Sequence, residues 1–256
     1  MYPHPGSSLC YILREDTELA EAISPERRAA ALENCTAHEV RIPIGDGISE
    51  ASPLRSGLGI LVLSGLLVRR VGIDGRFGAE LLGEGDLLRP WQWESDSATL
   101  PLEMGWSIVA PTRLALLDDQ FVQRCIGSFP ELAAPLVGRA MQRARNLAVN
   151  MAIVHQARVD NRLHMLLWHL AGRWGRVSTE GTVVPFRLTH TLLADLVAAR
   201  RPTVTSALSD LARRGLIRST GEAWILSGEP PRELLDIEGT LRPADREPLP
   251  PLASSS

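Results

Sequence analysis

No lysine occurs in the 256 residues; all 27 basic side chains are arginine. A Walker phosphate loop, a pyridoxal Schiff base and a protein-kinase site each need a lysine ammonium, so those classes are excluded. Cysteine is nearly as scarce. Cys10, Cys35 and Cys125 form no CxxC pair and no disulfide framework, and three thiols at such spacing exclude an iron-sulfur cluster with its usual four ligands. Long apolar runs are missing too. The longest, Leu58 to Val68, is interrupted by Ser64-Gly65 and ends at Arg69-Arg70, well short of a membrane span. The N-terminus lacks the charged-then-apolar pattern of a secretory signal, so the expected location is the cytoplasm, without membrane contact.

Histidine and nucleophile signatures are equally thin. No G-x-S-x-G elbow occurs, and the adjacent Asp118-Asp119 do not make an acid-base dyad. His164 and His169 are five residues apart on one predicted helix and diverge by about 140° at ~100° per residue, which rules against a shared metal. No cofactor is expected.

What is present is a charge asymmetry. The net charge is −3, yet residues 158 to 228 hold 10 Arg against 5 Asp and Glu, a local +5. Phosphate contact requires such a segment, although a solvated basic face is its commoner origin.

Inside that segment, LTHTLLADLVAARRPTVTSALSDLARRGLI (Leu188 to Ile217) has the pattern of a helix-turn-helix. Thr189 stands where an N-cap belongs, and Leu192, Leu193, Leu196 and Val197 follow at helical spacing. Pro202 is tolerated only in a first turn, so a second helix starts near Arg200-Arg201-Pro202. Its apolar face is Val204, Ala207, Leu208 and Leu211, which leaves Arg201, Thr203, Thr205, Ser206 and Ser209 outward. Small Ala194 and Ala198 are expected to let the two helices cross closely.

The rest of the chain reads as a sensor in front of this motif. Residues 1 to 15 are expected to be a flexible N-terminus. Ser24-Pro25-Glu26 starts a helix that runs to about Asn34. From about residue 39 to 118, short apolar runs with glycine turns at Gly45 to Gly47, Ser64-Gly65, Asp74-Gly75 and Gly83 to Gly85 predict an antiparallel β-roll, the core of a sensory domain over 16–129. Asp119 to Phe129 is predicted helical. A longer helix follows over 130–157, on which Val137, Ala140, Ala144, Leu147, Met151 and Val154 step by 3 and 4, the seam of a coiled coil. Arg139, Arg143, Arg145 and Asn146 lie off that seam. The stripe either packs on its own β domain or meets a second copy, and small residues on a helix between two domains favour the second. Residues 158–228 are expected to hold a helix over Asp160 to Trp174, a short strand at Val183 to Phe186, the helix-turn-helix, and a hairpin turning at Thr220-Gly221. The Pro-rich 229–256 are expected to be a disordered tail, save for a turn around Glu233 to Ile237.

The order of β-roll, seam helix and winged helix-turn-helix over about 16 to 228 resembles the family of the cyclic-AMP receptor protein and the fumarate-nitrate reduction regulator (Crp/Fnr), bacterial transcription factors. The likeness is carried most by TVTSAL and RGLI, and less by LVLSGLLVRR and LLGEGDLL. It implies an α+β fold: an N-terminal antiparallel roll of the cyclic-nucleotide-binding, cupin type, a dimerisation helix and a C-terminal winged helix-turn-helix. It also implies a non-enzymatic homodimer reading a two-fold DNA operator, with RNA polymerase as a further expected partner. Carried over by position, Arg201 reaches a base edge, Thr203 and Thr189 reach phosphates and Arg200 does either; Pro202, Thr205 and Ser206 complete the DNA-facing set.

Two departures matter. Pro202 and Ser206 stand where cyclic-AMP-binding members carry a glutamate and a second arginine, so the operator should differ. After Gly85-Asp86 the chain reads LLRPWQWESDSATLPLEMGW, without the Arg-Ser or Arg-Thr pair that holds a cyclic phosphate, and with Glu94, Asp96 and Glu103 to repel one. Cyclic AMP is therefore not the expected effector. Arg89, Trp91 and Trp93 are the candidate effector pocket, though tryptophans there, as at Trp106, more often serve as core. Two rival functions stay open. One is a ligand-gated protein-interaction module with a degenerate helix-turn-helix. The other is a cupin-type metal enzyme, weakened because the roll has no histidine beyond His38.

Overall fold

The computed structural model describes residues 8–46, 56–74, 76–89 and 103–235. The chain opens with β1 (Ser8–Tyr11), three short helices α1 (Ile12–Glu15), α2 (Thr17–Glu21) and α3 (Pro25–Asn34), then β2 (Thr36–Ile42). The roll continues with β3 (Gly45–Asp46), β4 (Gly59–Ile73), β5 (Arg76–Gly83), β6 (Leu87–Leu88) and β7 (Glu103–Leu117). The sheet runs β1-β2-β7-β4-β5, with β3 on β7 and β6 on β4, all antiparallel. The expectation of a loose start fails from Ser8 onward. β1 pairs with β2, and Ile12 and Leu13 are buried, because the outer face of the roll needs an apolar cover that these residues supply.

β4 explains why the sequence showed a continuous apolar run rather than an alternation. Ile60, Val62, Leu67 and Leu82 fill the inside of the roll with Ile108, Leu114 and Leu116. Leu61 and Leu63 face outward, under α1 to α3 and Phe121, Cys125 and Phe129. The register slips on either side of Ser64 and Gly65. Gly65 has φ +97°, and a Cβ there would stand 2.4 Å from the Pro111 carbonyl oxygen. Such a bulge flips the side-chain alternation, so Leu66 and Val68 also face outward, where they join a third core.

That third core belongs to the C-terminal domain. A short α4 (Asp119–Phe121), a π turn over Val122–Ile126 and a 3₁₀ turn over Pro130–Leu132 lead into α5 (Ala133–Val154). Then follow α6 (Val159–Trp174), β8 (Arg176–Ser178), β9 (Gly181–Val184), α7 (His190–Leu196), α8 (Arg201–Arg213) and the wing, β10 (Ile217–Ser219) and β11 (Trp224–Leu226). The four strands order β10-β11-β9-β8, so the strand expected near Val183 is half of a β8–β9 hairpin. The turn expected around Glu233 is present as a helical turn over 232–235 that buries Leu234 in this domain's core. Residues 236–256 lie outside the described residues. No described helix is long and apolar enough to cross a membrane.

Ala194 of α7 and Ala207 of α8 are buried in the core that the two helices share. Ala198, expected at their crossing, is instead exposed in the connecting turn with φ +50°, a left-handed conformation the turn geometry imposes.

Ion pairs tie the roll together at Glu39, which is almost fully buried. Its carboxylate accepts from Arg41 Nε at 2.6 Å and from Arg113 Nε and Nη2 at 2.9 and 3.0 Å. Arg113 also clasps Glu15 with two bonds of 2.9 Å, fastening α1 to the sheet.

Two predictions follow from these features. The hydrogen bonds from Arg113, ahead of those from Arg41 and against the opposing effect of burial, lower the Glu39 carboxyl from its ordinary 4.5 to about 2. Ionised Glu39 therefore stabilises the fold above about pH 4.5, and that stability is lost as pH falls toward about 2. Urea unfolding measured across this window should show a falling free energy, and Glu39→Gln should flatten the slope. Separately, Ala198→Gly should raise the unfolding free energy by roughly 1 kcal/mol, the relief of left-handed strain less the entropy that glycine adds. Denaturant titration checks it, and a loss of stability would contradict the strained turn.

Candidate nucleic-acid interface

The helix pair is built from its ends. At α7 the Thr189 hydroxyl accepts from the Leu192 amide at 3.2 Å, an N-cap that satisfies one free donor of the first turn. The turn after α7 is held from outside the motif: Arg162 of α6 donates to the carbonyl oxygens of Val197 at 3.2 Å and Ala198 at 3.4 Å, and to Gln156 at 2.6 Å. α8 then starts at Arg201, with Pro202 in its first turn, where no amide proton is missed. Val204, Ala207, Leu208 and Leu211 are buried.

Every residue expected to face DNA is exposed: Thr189, Arg200, Arg201, Pro202, Thr203, Thr205 and Ser206. The arginines differ in a telling way. Arg158, Arg187, Arg213, Arg214 and Arg218 each have a carboxylate within salt-bridge distance, whereas among the described residues Arg200 and Arg201, like Arg176 on β8, have none. Their guanidiniums, at the exposed start of α8, are left to an external acceptor. The outward hydroxyls of α8 turn back on their own helix. Thr205 donates to the Arg201 carbonyl oxygen, Ser206 to Pro202 and Ser209 to Thr205, at 3.0–3.2 Å. His190 at the start of α7 lies 3.0 Å from the Thr205 hydroxyl through its Nδ1.

α5 carries the expected seam. Val137 and Met151 are 58% and 62% exposed, Ala140 and Ala144 are exposed, and Leu147 and Val154 are half-buried. Met141, exposed at 66%, extends the stripe. The arginines off the seam fasten the opposite side of the helix to the roll. Arg139 reaches Asp16 at 2.9 Å and Glu18 at 2.7 Å, and Arg143 clasps Glu80 at 2.7 and 2.9 Å.

Sequence reasoning missed the joint between roll and C-terminal domain. Leu66, Val68, Ala79 and Leu81 of the roll share one core with α6, α7 and α8. Arg70 Nε donates to Asp195 Oδ2 of α7 at 2.9 Å, and Arg173 of α6 donates to Asp86 Oδ2 at 2.6 Å and to the Leu81 carbonyl oxygen at 3.2 Å. Burial pushes the Asp86 carboxyl up and the Arg173 guanidinium down, each held against that by the other's charge. The Trp174 ring lies against Gly83, leaving no room for a Cβ, 2.7 Å from its Cζ2. The partners are 87 and 125 residues apart for the two ion pairs, a separation with no local signal. Arg162 and His190 were missed for the same reason.

Arg89 is exposed and donates to the Gly57 carbonyl oxygen at 3.2 Å, while Trp91 and Trp93 lie outside the described residues. Trp106 packs half-buried against the inner core. A cleft of about 480 Å³ lies elsewhere, outside the roll, between Asp16, Glu18, Gly85, Arg139, Trp174 and Phe186. Among the described residues no three His, Cys, Asp or Glu side chains form a metal-holding group.

Comparison with known proteins agrees with this geometry. Residues 161–229 match the Crp-like helix-turn-helix domain. A CRP-like cAMP-activated global transcriptional regulator of Mycobacterium tuberculosis is 28% identical over 149 residues, 58% of this chain and 62% of that protein, so the match spans less than two thirds of the relative. A cyclic nucleotide-binding domain containing protein from Listeria monocytogenes has the same fold, with a TM-score of 0.61 at 13% identity over 82% of this chain and 96% of that one. So does a CooA variant from Carboxydothermus hydrogenoformans, with 0.57 at 14% identity over 94% and 97%. Residues 161–229 are thus similar to a Crp-like helix-turn-helix domain, and the roll and long helix that precede them share the fold of these solved structures.

Proposed function

We propose that the protein is a homodimeric, sequence-specific transcriptional regulator without enzymatic activity, acting in the cytoplasm. The observation that carries this reading is the pair Arg200 and Arg201, without a carboxylate partner among the described residues, at the exposed start of a helix whose other face is locked into a core. Arg201 supplies a bidentate fork to guanine O6 and N7, Thr189 and Thr203 contact phosphates, and Arg200 contacts either. The α5 stripe of Val137, Ala140, Ala144 and Met151 meets its copy from a second chain, which sets two α8 helices about one helical turn apart on a two-fold site. RNA polymerase is the further partner such a regulator needs. The likeness to a regulator named for activation by cAMP does not extend to the effector residues, because the segment after Asp86 lacks a phosphate-holding Arg-Ser or Arg-Thr pair. We assign any effector to a different chemistry. It must favour one arrangement of roll and reading helices over another to have an effect.

Gel-shift titration on a selected operator tests the reading. Arg201→Ala should cost about 1–3 kcal/mol of binding and relax specificity at one base pair; unchanged affinity and specificity would remove Arg201 from the interface. Ala144→Asp with Met151→Asp, both at exposed positions, should leave the fold intact and yield a monomer by light scattering with operator affinity lost. A variant that remains dimeric would place the interface elsewhere.

A further inference from the structure

Thr205 is exposed one turn beyond Arg201, yet its hydroxyl is engaged on both sides. Its Oγ1 lies 3.1 Å from the Arg201 carbonyl oxygen and 3.0 Å from His190 Nδ1. A hydroxyl has one proton, and a carbonyl oxygen can only accept. Both contacts are hydrogen bonds only when the threonine proton goes to Arg201 and the proton between Oγ1 and Nδ1 belongs to histidine. Ser206 and Ser209 make the same backward bond to the residue four before them. Their hydroxyls have no second partner among the described residues, so they can rotate outward to meet a base or a phosphate. Thr205 cannot do so without breaking two bonds. What it offers a base edge is a methyl group and one lone pair, with no donor.

In the major groove, guanine presents only acceptors at O6 and N7, whereas thymine presents the C5 methyl. A donor at Thr205 would favour the first; a fixed methyl favours the second. On the reading of α8 as a DNA-reading helix, we infer that His190 is a positioning residue that ties up the Thr205 hydroxyl, so that this position selects thymine by its methyl group. Specificity beyond Arg201 then resides in a side chain on α7 that itself reads no base. The Pro202 and Ser206 positions, which lack long polar side chains, leave Thr205 as the next reading point along the helix.

The experiment is site selection from randomised duplexes by the full-length protein, in the forms wild type, His190→Ala, His190→Asn, Thr205→Ser and Arg201→Ala, followed by affinity on the selected site with the relevant thymine replaced by uracil. The wild type should enrich thymine at least about fivefold at one half-site position distinct from the one lost in Arg201→Ala. Uracil, which differs only in lacking the methyl, should weaken wild-type binding by the same factor. His190→Ala should lose the thymine preference and become indifferent to uracil, with an unchanged melting temperature. His190→Asn, whose amide N–H can replace the Nδ1–H, should keep it, and Thr205→Ser should lose it. If His190→Ala enriches the same base as the wild type, or if uracil binds as well as thymine, the inference is overturned. Enrichment that depends on Arg201 but not on His190 overturns this inference alone. A wild type that enriches no sequence overturns the DNA-reading function with it.

Discussion

The guanidinium of Arg173 on the buried carboxylate of Asp86 joins the two halves of the molecule, and the remaining joint is arranged around it. Asp86 closes the turn after β5 and also accepts from the Gly83 amide at 2.8 Å. Arg173 ends α6, the first helix of the winged domain. Around the pair, outward apolar residues of the β4–β5 hairpin share one core with the helix-turn-helix. Removing one partner would leave a buried charge uncompensated, a cost of about 3–5 kcal/mol. The turn that precedes the candidate effector segment is thereby in direct contact with the domain that carries α8.

The long helix divides its faces by chemistry. Arginine reaches across one side to Asp16, Glu18 and Glu80 and fixes α5 on its own roll. Alanine, valine and methionine remain on the other side, small enough for a second helix to approach closely. An arginine-only basic set suits this arrangement, since the planar fork makes two bonds to one carboxylate where an ammonium would make a point contact. The same planar fork stands at Arg201, which has no carboxylate partner among the described residues.

Much of this was legible in the sequence because it is local. The periodicity of Leu192 to Leu211 gave both helices of the motif, Pro202 marked the start of the second, and the 3 and 4 steps from Val137 to Val154 separated an apolar stripe from its arginines. The failures share one cause: they depend on what a residue meets far along the chain. Ile12 and Leu13 looked like a loose terminus because two apolar residues make no pattern until the roll beneath them is known. The β4 run hid a change of face at Gly65, since a bulge leaves no trace in hydropathy. Ala198 looked like a small residue for close crossing, and only the turn geometry shows it strained and exposed. Arg70, Arg162, Arg173 and His190 carry bonds whose partners could not be paired by spacing.

The central claim is that this fold presents paired reading helices to one two-fold DNA site. Footprinting of the purified full-length protein on genomic fragments tests it most directly. Protection of discrete sites made of two inverted halves, centred about 10–10.5 base pairs apart or a multiple of that, is the expected result. Even coverage of all fragments regardless of sequence, or no protection at all, would contradict it.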